Sequence, residues 1–357
     1  LLMGLNFNRQ FKFYSGSYSS NWIYPQQSYY SNAVLVELTN TGSVATSNYM
    51  VSQYSSVDDI AWMDMSSGND HIIIPFNGLA RHDGSYRYYS DAPATTLQRY
   101  SWNNGLSSQQ FYVLIGHTGS ESIIDLEQYN NSSNILLGSS SRYGQNLRFG
   151  SNVIGGDLTT TNNLETRLFL AMSDSNGNWT QLDQIKIGNH MTGSSGFTTD
   201  RDWAAMAVGD NGTVWVGFHW QNFLEIPGLT SRSTGSGFIV ASWSPINGWM
   251  SADSIGFSTS GYVDVDIAVS NGDVWFSGAC YGNVNMHGSS YSGSNWNICI
   301  AKRDATNSWS NIYRSGTYTH YDLSLEAMTG HPNGGVVFWA KSGYYYDPST
   351  GNNNKNA

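Results

Sequence analysis

Charge is scarce in this chain of 357 residues, of which only 12% are Asp, Glu, Lys or Arg, about half the share usual in a soluble domain. The 16 basic residues are scattered and the net charge is −10. A phosphate-binding surface needs clustered Lys and Arg, so a nucleic-acid partner is excluded as an expectation. Two cysteines, Cys280 and Cys299, are too few for a disulfide framework. No apolar run approaches the roughly 18 residues that cross a bilayer, so no transmembrane segment is expected. Helical periodicity of useful length is missing as well. So are the paired His of a zinc site, the phosphate-binding loop, the dinucleotide fingerprint and the Gly-x-Ser-x-Gly elbow, and no metal or cofactor is expected.

Uncharged polar and aromatic residues fill the space, with 38 Gly, 23 Tyr and 13 Trp beside a hydrophobic share of 39%. That share supports a packed core. Tyr, Trp, Thr and Val suit pleated surfaces, while Gly and Asn suit tight turns. The composition predicts many short strands.

Those strands repeat. From Asp266 to Gly278, alternating apolar residues meet Asn271-Gly272 and a second apolar run follows, the signature of a hairpin. The segment from Ala205 to Gly217 repeats it around Asn211-Gly212, and fainter copies lie at 60–74, 124–138 and 325–340. A second pattern follows each copy: an apolar strand, a turn containing Asn or Gly, then a strand often opened by Trp, as at Trp179, Trp249 and Trp309. Aligning the second strands puts Leu1, Ile72, Ile135, Val214, Val274 and Val336 in register, at offsets of 71, 63, 79, 60 and 62 residues. The period exceeds the 40–50 residues of a common four-stranded blade. The excess lies between the second and third strands, where short segments such as Leu147-Arg148-Phe149 and Val284-Asn285-Met286 intervene.

Four strands per repeat predict an all-β fold, a β-propeller of four-stranded antiparallel blades with about five to six units. The reading is one propeller domain over 1–350, with units near 1–56, 57–121, 122–202, 203–263, 264–322 and 323–350, then a tail or linker at 351–357. Residues 1–335 hold five circularly permuted periods and 336–357 begin a sixth. Either the terminal strands close a ring, or the chain is a segment of a longer propeller.

The best copies carry Ser270 to Gly278, Gly288, Ile298-Cys299-Ile300-Ala301-Lys302 and Trp309. On these residues, over about 200–310, the chain resembles the bacterial and archaeal β-propeller repeat family known as SBBP repeats. The resemblance implies a propeller in a secreted or surface protein with no fixed activity. The motifs of that family are structural and bring no catalytic residues with them.

Several residues qualify for chemistry or contact. Asp58, Asp59, Asp64, Asp125, Asp202, Asp264 and Asp266 stand near first strands. A pair such as Asp264 and Asp266 could serve acid–base work or a cation; the simpler reading is that they cap turns and strand ends. Ser173-Asp174-Ser175-Asn176-Gly177-Asn178-Trp179 resembles a sialidase Asp-box, with its Asp and Trp one place early, and reads more simply as the hairpin of the repeat. Cys280 and Cys299 fall on adjacent strands of one unit and are expected to form a disulfide. Sequons at Asn130, Asn131, Asn178 and Asn211 are permissive of N-glycosylation.

The long loop of the first unit holds Tyr18, Trp22, Tyr24, Tyr29 and Tyr30 with no charged residue from Gly16 to Asn32. Tyr89 in the second unit, and Tyr344 and Tyr345 in the last, belong to equivalent loops. Together they predict a surface that binds a protein subunit or a glycan. The leading expectation is a non-enzymatic extracellular or cell-surface module for adhesion or assembly. The alternatives are a carbohydrate-active enzyme, a glycoside hydrolase or polysaccharide lyase, on a propeller scaffold, and a viral or phage fibre domain.

Overall fold

The computed structural model describes residues 2–7, 14–15, 18–19, 32–38, 44–52, 71–77, 80–81, 95–101, 107–115, 121–130, 133–141, 148–149, 152–153, 165–174, 178–188, 203–232, 234–258, 263–281, 283–286, 289–291, 296–314, 323–342, 345–347 and 352–354. From Ile124 onward most of their side chains are described too. Antiparallel strands dominate the described residues, and no α-helix occurs among them. The chain divides into two compact units, Leu1–Asn163 with Phe169–Gln181, and Leu164–Leu168 with Leu182–Ala357.

In the second unit the fourth repeat is a meander of Ala204–Val208, Val214–Gln221, Ser236–Ser244 and Gly248–Ser258, each strand paired with the next. The fifth repeats it as Val263–Ser270, Asp273–Tyr281, Trp296–Arg303 and Trp309–Arg314. Their hairpins close as the residue types require. Asn271 and Gly272 hold φ of 53° and 79°, the left-handed pair that matches the twist of the flanking strands. The sixth repeat contributes Leu323–Gly330 and Val336–Ser342. The first strands of repeats four, five and six lie side by side, Ala204–Val208 against Val263–Ser270 and the latter against Leu323–Gly330.

Sheet faces pack between those repeats. Phe218, Phe238 and Phe276 are fully buried, and the rings of Phe238 and Phe276 meet at 5.7 Å and 60° across repeats four and five. Gly217 lets Phe276 in, since a Cβ there would stand 2.9 Å from the Phe276 ring. Between repeats five and six, Ala268, Trp275, Ile298 and Ile300 pack with Leu325 and Met328. Burying a side chain of this size contributes about 1.5–3 kcal/mol, so the sheet-to-sheet faces are the main source of cohesion here.

The intervening segments of the long period have a common destination. Leu224–Ile226 pairs with Trp179–Gly188, the fourth strand of repeat three, and folds back on Thr230–Arg232. Val284–Met286 pairs likewise with Gly248–Ser258 and folds back on Ser289–Tyr291. Each hairpin thus extends the sheet of the preceding repeat, and the fourth repeat becomes the core of a six-stranded sheet. Glycines mark the contact. A Cβ on Gly256 would lie 1.9 Å from the Asn285 carbonyl oxygen, and one on Gly188 2.2 Å from that of Gln221.

The first unit follows the same rule. Leu2–Phe7, Asn32–Leu38 and Val44–Ser52 form a sheet extended by Ala80–Arg81. His71–Asn77, Thr95–Ser101 and Ser107–Ile115 form another, extended by Arg148–Phe149 and Asn152–Val153. Glu121–Asn130 pairs with Ser133–Ser141 around a bulge at Ile124.

Candidate functional site

The carboxylates singled out in the sequence face backbone. Asp264 Oδ2 accepts from the Leu325 N–H at 3.2 Å, and Asp266 Oδ2 accepts from the Met328 N–H. Both donors belong to the first strand of the next repeat, which carries an irregularity between Leu325 and Ala327. Asp266 Oδ1 also accepts from its neighbour Ile267 at 2.7 Å, and Asp125 does the same for Leu126 at 2.8 Å. Neighbouring first strands do not form a ladder, and the two Asp side chains supply acceptors in its place. Such contacts hold a strand; they leave less of the carboxylate to act on a substrate. Asp58, Asp59, Asp64 and Asp202 lie outside the described residues.

A second set of contacts joins consecutive repeats farther along the sheets, and the sequence did not flag it. Asp253, on the fourth strand of repeat four, accepts from Arg303 Nε at 3.1 Å and from Trp309 Nε1 at 3.0 Å, both in repeat five. The Arg303 guanidinium stands 4.8 Å from the Trp215 ring centroid. Asp183 has the equivalent role in repeat three, accepting from Trp243 Nε1 at 3.3 Å. Asp183 and Asp253 each follow a fourth-strand Trp by four residues, at Trp179 and Trp249, and that spacing was the available signal.

The Asp-box-like turn is a capped hairpin. Asp174 accepts from the backbone and side-chain amides of Asn178 at 2.8 and 2.9 Å. In repeat five Asp304 Oδ1 accepts from the Thr306 hydroxyl at 2.6 Å, the Thr306 N–H at 2.8 Å and the Ser308 N–H at 3.1 Å. The Thr306 hydroxyl first, then the Ser308 amide, hold the Asp304 carboxyl below the ordinary aspartate range. This contribution is present above the unfolded-state value and fades as pH falls through the folded one.

The expected disulfide partners lie on paired strands of one sheet without standing opposite in the register. Cys280 faces Asn297 and Cys299 faces Gly278, a diagonal relation in which Cα atoms lie about 7–8 Å apart. Cys299 is buried, and the Cys280 side chain lies outside the described residues. Among the sequons, Asn130 ends its strand exposed, and Asn178 and Asn211 are exposed at hairpins. The Asn178 amide is engaged by Asp174, and Asn211 Oδ1 accepts from the Thr213 N–H at 3.0 Å; Asn131 lies outside the described residues. Tyr18 sits in a short hairpin opposite Ser15 and Tyr345 opposite Asn354. Trp22, Tyr24, Tyr29, Tyr30, Tyr89 and Tyr344 lie outside the described residues.

Buried His219 packs at 5.3 Å from the Phe238 ring. Among the described residues no group of three His, Cys, Asp or Glu is placed to hold a metal ion, and no helix is long and apolar enough to cross a membrane. No protein-family model and no curated protein matches the chain.

Proposed function

We propose that this chain is a β-propeller module of an extracellular or surface protein, and that it binds a protein subunit or a glycan rather than transforming a substrate. The observation that carries the reading is the arrangement of repeats four to six. Two antiparallel meanders and the hairpin of repeat six follow one another with their first strands side by side and their faces packed through Phe238, Phe276 and Trp275. Radial repetition of such sheets is how a propeller protects its edges. Asp264 and Asp266, the carboxylates best placed for acid–base work, are engaged by the next strand. Binding then falls to the loops, and the charge-free stretch with Tyr18, Trp22, Tyr24, Tyr29 and Tyr30 is the one richest in aromatic residues along the sequence. Stacking on sugars and packing against protein both use rings of this kind. The similarity to SBBP repeats supports the same reading.

The test is the triple variant Trp22→Ser, Tyr24→Ser, Tyr29→Ser. Adhesion to cells or to immobilised glycans should fall with the melting temperature unchanged. A collapse in stability would place those rings in the core and sink the loop surface.

A further inference from the structure

We infer that the hairpin of Tyr345–Asp347 and Asn352–Asn354 is a strap that docks on the outer edge of Trp309–Arg314, the fourth strand of repeat five, and so ties repeat six to the sheet before it. The inference concerns how the repeats are held together and does not depend on what the module binds.

Four repeats set the rule. The segment after the second strand of each pairs antiparallel with the fourth strand of the preceding repeat, near the end of that strand. Ala80–Arg81 pairs at Val51 and Ser52, and Arg148–Phe149 at Leu114 and Ile115. Leu224–Ile226 pairs at Lys186 and Ile187, and Val284–Met286 at 256–258. In repeats two, four and five the segment starts after the same interval, with two residues between it and the end of the second strand at Asn77, Gln221 or Tyr281. Repeat six keeps that interval from Ser342 to Tyr345, and its segment turns back on itself as those of repeats four and five do. The acceptor is present too. Among the described residues Trp309–Arg314 pairs on one side only, with Trp296–Arg303, and the hairpin pairs only within itself.

An isolated two-stranded hairpin is marginal in water, and a free strand edge is a template for pairing. Joining the two gives each its missing partner. Repeat five then becomes a six-stranded sheet like those built on repeats three and four. The sequence agrees. Gly256 admits the hairpin to repeat four, and Gly316 follows Trp309 by seven residues as Gly256 follows Trp249. In repeat three Lys186 of the acceptor strand pairs with Glu225 of the hairpin at 3.1 Å. Along the chain Arg314 and Asp347 carry the same two signs on the same two elements. This junction also lacks the carboxylate of the earlier ones. Where Asp183 and Asp253 follow a fourth-strand Trp by four residues, repeat five has Tyr313, whose ring meets that of Phe338 at 5.6 Å. On the fourth-strand side, the strap supplies the polar tie that is lost with the carboxylate.

The experiment is hydrogen exchange on the full chain, read by mass spectrometry at several protein concentrations. Wild type should protect 345–347 beyond what a lone hairpin holds, to a degree independent of concentration. Tyr346→Pro, which takes a donor from the strap, should speed exchange at 309–314 by at least about tenfold, the scale of one backbone hydrogen bond. Exchange at 263–281 should not move. Asp347→Arg should act in the same direction, and Arg314→Asp combined with Asp347→Arg should restore protection, a rescue that general unfolding would not give. Exchange at 345–347 as fast as in an unfolded chain, or exchange at 309–314 indifferent to Tyr346→Pro, overturns the inference. Protection that rises with concentration overturns it as well, because the strap would then come from another copy.

Discussion

Asp253 binds two residues of the following repeat with one oxygen: its Oδ2 lies 3.1 Å from Arg303 Nε and 3.0 Å from Trp309 Nε1. The Arg303 side chain is only 14% exposed, so the carboxylate compensates a cation largely withdrawn from water. Removing the carboxylate leaves that cation and the indole N–H short of an acceptor. Asp253→Ala should lower stability by about 2 kcal/mol, the range for hydrogen bonds to charged groups. Asp253→Asn, which keeps an acceptor, should lose less. Asp183→Ala, with one longer bond to Trp243 at 3.3 Å, should lose less again. Denaturant titration of the three variants gives the order, and equal losses would refute the shared clamp.

Gly256→Ala tests how the long period is used. Its new Cβ would stand 1.9 Å from the Asn285 carbonyl oxygen, and backbone cannot yield as a flexible side chain does. The hairpin of 284–291 should detach from the sheet of repeat four, at a cost of at least about 2 kcal/mol. Hydrogen exchange should accelerate at 284–286 and 256–258. Gly272→Ala is the control: nothing lies within 4 Å of its Cβ, so it should show only the strain of its φ of 79°, about 1–2 kcal/mol.

Asp266→Ala separates a strand-holding carboxylate from a catalytic one. The Met328 N–H would lose its acceptor, costing about 1–3 kcal/mol, and exchange should rise along 323–330. Glycoside hydrolase or lyase activity that disappears in Asp266→Asn with stability and exchange unmoved would point to the enzyme alternative instead.

Much of this architecture was legible in the sequence. Alternating apolar residues on either side of Asn271-Gly272 specify a hairpin locally, because Asn and Gly tolerate positive φ and the flanking residues want one buried face. The repeat register from Val214 to Val274 to Val336 matched the second strands of three consecutive sheets. The carboxylates were visible as residues and not as contacts: Asp264 and Asp266 stand two apart on a strand, and the acceptors they provide meet N–H groups some sixty residues onward.

Strands, turns and period were all readable along the chain, since each depends on residues within a few positions of one another. Where the surplus of each period goes was settled in three dimensions. A hairpin such as Val284–Met286 with Ser289–Tyr291 carries no local mark of its partner. It extends the preceding sheet because the fourth strand there presents an unpaired row of N–H and C=O groups, and Gly256 lets the backbone approach. The same holds for Trp339. As a residue it reads as one more aromatic of a strand, and only the tertiary structure shows that Leu325 and Met328 pack against repeat five while Trp339 does not, since burial depends on which sheet stands across from a face and pattern along the chain does not contain that.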